Sequence, residues 1–333
     1  MNRPVQSGLR LVGDVGGTNV RFALADTSGA APRISDAESY RCADFPGLEA
    51  AIEHYLSMMN TRGPRPHAAV VAVAGPVDNG VAVLTNGRWR MSNTGLQAAG
   101  FSAARLINDY TALALAVRRL GPDDLGALGD ADSPAEGKTI ALVGAGTGLG
   151  VAAAVRADGV EVIATAEGGH IGFAPVDETE VEILRALNGV FGRVSLERIL
   201  SGPGLVSLRW ALGRIAGQEV EPITPEEVVA RAMSGQDPLC AQTLDRFCAI
   251  YGSAAGDMAL VYGALGGVYL GGGIAPRILA WLRKSEFRAR FEAKGRFAGY
   301  LAPIATKVIV HPYAALLGAA DAALPLKSAV PAT

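Results

Sequence analysis

Apolar residues fall along this chain in two rhythms. The first is a short continuous run with no polar alternation, of which 68–74, Ala68-Ala-Val-Val-Ala-Val-Ala74, is the clearest. It is stopped by Gly75-Pro76, as expected of a strand buried on both faces. Strands are predicted in the same way at 9–15, 19–25, around 36–41, 104–107 and 160–164. The second rhythm has helical spacing. It predicts helices over 47–59, over 93–99, and from 109 onward, where Leu113, Val117 and Leu120 mark one face and Asn108 or Asp109 supplies the cap. Residues 121–137 are polar and contain Gly and Pro, so they read as a surface connection. Beyond 178 helical patterns dominate, with Pro225-Glu-Glu opening one helix and a last helix at roughly 313–324. The uncharged stretch 258–276 is long enough for a membrane span, but its frequent Gly fits a buried helix end, a strand and a turn.

The punctuation between strands carries chemistry. Leu11-Val-Gly-Asp-Val-Gly-Gly-Thr-Asn-Val-Arg-Phe-Ala-Leu24 is a strand, a Gly-rich turn and a second strand. With no Cβ at Gly16 and Gly17, a ligand can approach the backbone closely and several N–H groups can point at phosphate oxygens. Asp14 would repel a bare phosphate, so its expected partner is the Mg²⁺ that accompanies a nucleotide. The design recurs at 141–154, where Leu142-Val143-Gly144 aligns with Leu11-Val12-Gly13 and the turn is Gly146-Thr147-Gly148. Two such hairpins imply two related halves facing one ligand. A third cluster, Gly271-Gly272-Gly273, follows an apolar run and suits a flat adenine or ribose. No loop has the G-x-G-x-x-G spacing, and Gly137-Lys138-Thr139 lacks the first Gly of a Walker loop because Asp132 occupies that position.

Two further segments place polar side chains at turns. Asn108-Asp109 lies at a strand-to-helix junction, where a carboxylate either caps the helix or takes a proton from an attacking hydroxyl. Glu167-Gly-Gly-His170 offers an acceptor and an imidazole on a tight turn. Taken alone, His170 reads by default as a core histidine, with a metal ligand as the other alternative.

Bulk properties narrow the field. The chain has 333 residues, half of them hydrophobic, enough for two α/β lobes. A net charge of −2 argues against nucleic acid and anionic membranes as partners. Cys42, Cys240 and Cys248 have no C-x-x-C spacing and read as free thiols of a reducing compartment. His54, His67, His170 and His311 form no zinc-like pair, so no protein-held metal site is expected. The start, 1–8, has no apolar signal core. A soluble, cytoplasmic protein is the expectation.

Taken in order, Gly13-Asp-Val-Gly-Gly-Thr18, Ile107-Asn-Asp109, Gly144-Ala-Gly-Thr-Gly-Leu-Gly150, Glu167-Gly-Gly-His170, Ser195-Leu-Glu-Arg198, Leu200-Ser-Gly-Pro-Gly204 and Gly271-Gly-Gly-Ile-Ala-Pro276 span the chain. This set resembles the bacterial glucokinases of the hexokinase-like type, within the sugar kinase, heat-shock chaperone and actin superfamily. The resemblance implies an α/β, two-lobed, ribonuclease H-like (actin-like ATPase) fold with a ligand cleft between lobes. The small lobe would comprise 1–120 plus 312–333 and the large lobe 121–311, with the last helix crossing back onto the first lobe. It implies Mg²⁺–ATP at Gly13, Asp14, Val15, Gly16, Gly17, Thr18, Gly146, Thr147, Gly271, Gly272 and Gly273, with Asp14 an outer-sphere contact to the ion. It implies glucose at Asn108, Asp109, Glu167, His170, Glu197 and the Gly148 backbone, with Asp109 as base. Thr85-Asn86 and Gly75-Pro76 would line the cleft wall. The implied reaction is glucose 6-phosphorylation by a homodimer. Kinases of other hexoses or amino sugars, and a non-catalytic sugar sensor on the same fold, are the alternatives. Related repressor-type sugar kinases carry a Cys-rich zinc motif after the Glu-x-Gly-His turn, whereas here no Cys follows until Cys240. Gly172 departs from the pattern where an acidic residue can occur, and it touches no catalytic position.

Overall fold

The computed structural model describes residues 8–59, 65–84, 89–131 and 134–324. Thr85, Asn86 and Asp132 lie outside the described residues. The chain divides into two compact units, one of residues 1–121 and 311–333, the other of residues 122–310.

The first unit is built on a five-stranded sheet. Its strands are β1 (Leu9–Val15), β2 (Asn19–Asp26), β3 (Arg33–Arg41), β4 (Ala68–Val73) and β7 (Ala103–Asn108), in the order β3-β2-β1-β4-β7. A separate small hairpin joins β5 (Val81–Val83) and β6 (Arg90–Ser92). All six residues of β4 are buried, since helices cover both faces of the sheet. One face packs on α1 (Leu48–Met59), through Leu48, Ile52, Tyr55 and Leu56, and on α2 (Asn93–Ala98). The other receives α3 (Asp109–Ala116) and the C-terminal helix Ala314–Asp321.

Two expectations for α3 need correction. The predicted stripe of Leu113, Val117 and Leu120 is not the core face, because Leu113 and Leu120 stay partly exposed while Ala112, Ala114 and Ala116 are buried. The small residues turn inward because the C-terminal helix packs backbone to backbone. A Cβ on Gly318 would stand 1.7 Å from the Ala112 carbonyl oxygen. The regular helix also ends earlier than the spacing predicts, passing into a 3₁₀ turn at Val117–Arg119. Asp321 ties the C-terminal helix down through Arg118 and Arg119, at 2.5 and 2.6 Å.

The second unit has a six-stranded sheet in the order β11-β10-β9-β12-β13-β8. These strands are β8 (Leu125–Leu128), β9 (Ile140–Ala145), β10 (Leu149–Ala157), β11 (Val160–Ala166), β12 (Val268–Gly271) and β13 (Thr306–Ile309). β8 overturns the reading of 121–137 as connection alone, since it pairs antiparallel with β13 and closes one edge of the sheet. From β11 to β13 the pairings run antiparallel, antiparallel, parallel, parallel. The first sheet runs the same way from β3 to β7. The internal repeat read from the hairpins therefore extends to whole sheets.

Helices α4 (Glu178–Phe191), α5 (Gly202–Ile215), α6 (Pro225–Met233) and α7 (Pro238–Tyr262) supply most of the second core. Pro225 opens α6 as expected, behind a capping box of Thr224 and Glu227. The uncharged stretch 258–276 resolves into the end of α7, β12 and the Gly turn. Among the described residues no helix is long and apolar enough to cross a membrane. The three cysteines are free and buried.

Candidate active site

In the first unit the candidate residues gather at the C-terminal ends of β1 and β7. Gly13 lies inside β1, where a side chain would run into Phe22 and Val71. Val15 is fully buried, with its carbonyl accepting from the Ala74 N–H at 2.8 Å. The turn proper is Gly16, Gly17 and Thr18, all outside the core. Neither Gly16 nor Gly17 adopts a left-handed conformation, so the turn itself does not require glycine; the missing side chains leave its outer surface open. The turn is closed by Gly16 N–H donating to Asn19 O at 2.9 Å. It is also held from β3's end, where the Cys42 N–H donates to Thr18 O at 2.8 Å and the thiol to Gly16 O at 3.5 Å.

Asp14 and Arg21 are a cross-strand pair in the β1–β2 register, and their side chains meet at 3.3 Å. The Asp14 side chain is 21% exposed. Burial pushes its carboxyl up from the ordinary range, and Arg21 partly opposes that shift.

Asn108 is the residue that caps α3. Its Oδ1 accepts from Tyr110 N at 2.9 Å and Thr111 N at 3.2 Å, while Nδ2 donates to Gly75 O at 3.0 Å. The same side chain also donates to the Asp109 carboxyl. With the cap filled by its neighbour, the Asp109 carboxyl accepts from Tyr110 N at 3.0 Å, from its own backbone N–H and from the Asn108 side chain. Burial, followed by the negative charge of Asp14, raises the Asp109 carboxyl to about 7. A carboxylate at that value is half ionised near neutrality and suited to accepting a proton.

In the second unit three turns converge. The β9–β10 turn closes with Gly146 N–H donating to Gly148 O at 2.8 Å, and its Gly146 O accepts from Gly202 N at the start of α5. Parallel pairing of β12 with β9 sets Gly271 beside Gly144, which delivers the third Gly cluster to the same turn. Gly272 has φ +76°, and a Cβ there would lie 2.3 Å from Ala145 O, so this step needs glycine on both counts. Gly148 leaves room for a side chain instead, since a Cβ would stand 2.5 Å from Glu197 Oε2 and displace it. That carboxylate accepts from the Leu149 N–H at 2.9 Å, which fixes Glu197 against the turn.

Glu167 and His170 flank a 3₁₀ turn, Gly168–His170, directly after β11. Their side chains are 75% and 59% exposed, with His170 Nε2 3.8 Å from Glu167 Oε2. His170 is thus not a core histidine. Among the described residues no three His, Cys, Asp or Glu side chains gather as a metal cluster.

Sequence reasoning missed three supporting residues. Arg21 was readable, because hairpin pairing puts it opposite Asp14. Cys42 reaches the first turn from the end of β3, and Tyr251 of α7 donates from its buried hydroxyl to Val143 O at 2.9 Å. Neither contact leaves a local signal.

The chain as a whole is similar to known proteins. The glucokinase family model matches residues 11–325. A glucokinase of Caulobacter sp. (strain K31) is 52% identical over 319 residues, covering 96% of each chain. One of Xanthomonas euvesicatoria pv. vesicatoria (strain 85-10) is 42% identical over 93% of each. The crystal structure of a glucokinase from an Antarctic psychrotroph superposes with a TM-score of 0.85 at 36% identity, covering 95% of this chain and 98% of that one. With two sheets of matching topology, Gly turns at equivalent hairpins and a family match over nearly its whole length, the chain belongs to the glucokinase family.

Proposed function

We propose that this protein transfers the γ-phosphoryl group of ATP to the 6-hydroxyl of D-glucose, releasing ADP and glucose 6-phosphate. Membership of the family supports the enzyme class and the use of ATP. The observation that carries the chemistry is Asp109, a partly buried carboxyl at the start of α3 that desolvation and the charge of Asp14 raise to about 7. The sugar hydroxyl loses its proton as its oxygen attacks the γ-phosphorus, and Asp109 accepts that proton. Transfer adds little covalent work for the protein, so positioning and charge stabilisation supply most of the rate.

The remaining candidates divide by unit. In the first, the 16–18 turn offers backbone N–H groups to phosphate and Asn108 orients the sugar ring beside Asp109. In the second, Glu167, His170, Glu197 and the Gly148 backbone bind sugar hydroxyls. There the 146–148 turn takes phosphate, and the 271–273 cluster takes adenosine. A partly buried carboxylate beside an open Gly turn has the donor chemistry that Mg²⁺ prefers, and Asp14 would face the ion through water. Bound with ATP, Mg²⁺ supplies charge neutralisation of the phosphates. Free thiols fit a cytoplasmic location, and the resemblance implies a homodimer, which light scattering of the purified protein would check.

The first test is ADP release with Mg²⁺–ATP, with and without glucose, beside Asp109→Asn. Release is expected to depend on glucose and to fall by about 10²–10⁴ in the variant. Glucose-independent release, or a fully active variant, would refute the reading. Release with another hexose alone would keep the chemistry and change the substrate.

A further inference from the structure

An exposed imidazole presents a fixed hydrogen-bonding edge only if the backbone beneath it is fixed. The His170 side chain is 59% exposed, and its Nε2 stands 3.8 Å from Glu167 Oε2, beyond hydrogen-bond range. The backbone after it is held by a short antiparallel strip. Leu196 N–H donates to Ile171 O at 2.9 Å, and Phe173 N–H to Val194 O at 3.0 Å, with Gly172 and Ser195 facing each other between them. One side of the strip leads into His170 and the other into Glu197.

Arg193 completes the strip from its far end. It follows Gly192, which closes α4 in a conformation of φ +68° and turns the chain back toward the sheet. Its guanidinium Nη2 donates to the His170 carbonyl at 2.9 Å. A charged donor on a neutral carbonyl is stronger than an ordinary backbone bond. Arg193 is itself exposed, so this bond adds little to the folded core while acting directly on the turn that carries the imidazole.

We propose that Arg193 is a positioning residue for sugar binding, clamping the His170 carbonyl so that the imidazole meets a sugar hydroxyl in one orientation. The inference rests on the reading that His170 contacts the sugar. Four variants separate the two: Arg193→Ala, Arg193→Lys, His170→Ala and the Arg193→Ala/His170→Ala double. Arg193→Ala is expected to raise the KM for glucose about three- to tenfold. Its kcat, its KM for ATP and its melting temperature should stay close to those of the parent. Arg193→Lys retains one donor and should recover part of the loss. In the His170→Ala background the second substitution should add less than about twofold, because the clamp then has nothing to position.

An unchanged glucose KM in Arg193→Ala, with a raised one in His170→Ala, overturns the clamp and leaves the sugar reading standing. An unchanged glucose KM in His170→Ala overturns both. Equal rises in KM for both substrates, or full additivity in the double variant, reduce Arg193 to a general structural role and also overturn it.

Discussion

The two Gly-turn hairpins share a backbone plan and differ in charge. Leu11-Val12-Gly13-Asp14 in β1 aligns with Leu142-Val143-Gly144-Ala145 in β9, so Asp14 and Ala145 hold equivalent positions. Opposite them stand Arg21 and Leu149. Asp14 keeps some solvent contact and a cationic partner, whereas Ala145 is fully buried with an apolar one. A duplicated hairpin has thus kept its strand pairing, with a shorter connection between the equivalent positions in the second copy (146–148 against 15–20), while one copy alone carries ionic chemistry. The charged copy lies in the unit that holds Asp109, and raises its affinity for a proton. The neutral copy offers backbone donors and a slot for Glu197.

The largest effect is expected from giving the neutral copy the charge of the other. Ala145→Asp would bury a carboxylate opposite Leu149, with no Arg21 equivalent across the hairpin. A loss of about 3–5 kcal/mol is expected, seen as a drop in the urea midpoint at neutral pH. An unshifted midpoint would mean that the two positions are less different than their surroundings indicate.

A smaller effect is expected in the slot. Gly148→Ala places a methyl group 2.5 Å from Glu197 Oε2, so that carboxylate must swing off the Leu149 N–H. The glucose KM should rise about tenfold, the equivalent of 1.4 kcal/mol, with a nearly unchanged KM for ATP. Normal glucose binding would show that Glu197 is free to move without loss.

The smallest effect concerns the coupling of the two acids. With Asp109 raised to about 7, kcat/KM for glucose should fall as pH drops through that value, because a protonated base cannot accept. Asp14→Asn removes a repelling charge, so the Asp109 carboxyl ionises more easily. The acid limb should then move to lower pH by less than about one unit, since burial is the larger cause. A limb that stayed in place would uncouple the pair. The same titration affects stability. Between about pH 4 and 7 the folded protein holds a proton on Asp109 that the unfolded chain has released. Folding is therefore disfavoured progressively as pH rises through that window.

Most strands were legible because buried parallel strands are written as continuous apolar runs, as in β4. The hairpin repeat was legible because the turn residues repeat with it. β8 was not, since it is four residues with a glycine inside and its partner β13 lies 178 residues along, at Thr306 opposite Leu128. The face of α3 was misread because every position from Ala112 to Ala116 is apolar, and size, not polarity, decides which of them meets the Gly318 backbone. Among the site residues, acids and imidazole announce themselves by type. Their supports do not, because Arg193 reaches His170 across a path set by α4 and the strip.

The first unit is closed by a helix encoded almost two hundred residues after the rest of it. On the ribosome, the sheet of β1 to β7 emerges complete except for the cover over Val12, Val70 and Ala72, which lie in one apolar cluster with Leu316 and Ala319. At 5–20 residues per second that cover arrives about 10–40 s later, after the whole second unit has been made. In the living cell the second half of this enzyme therefore has time to fold first, and the half that begins the chain is the last to be finished.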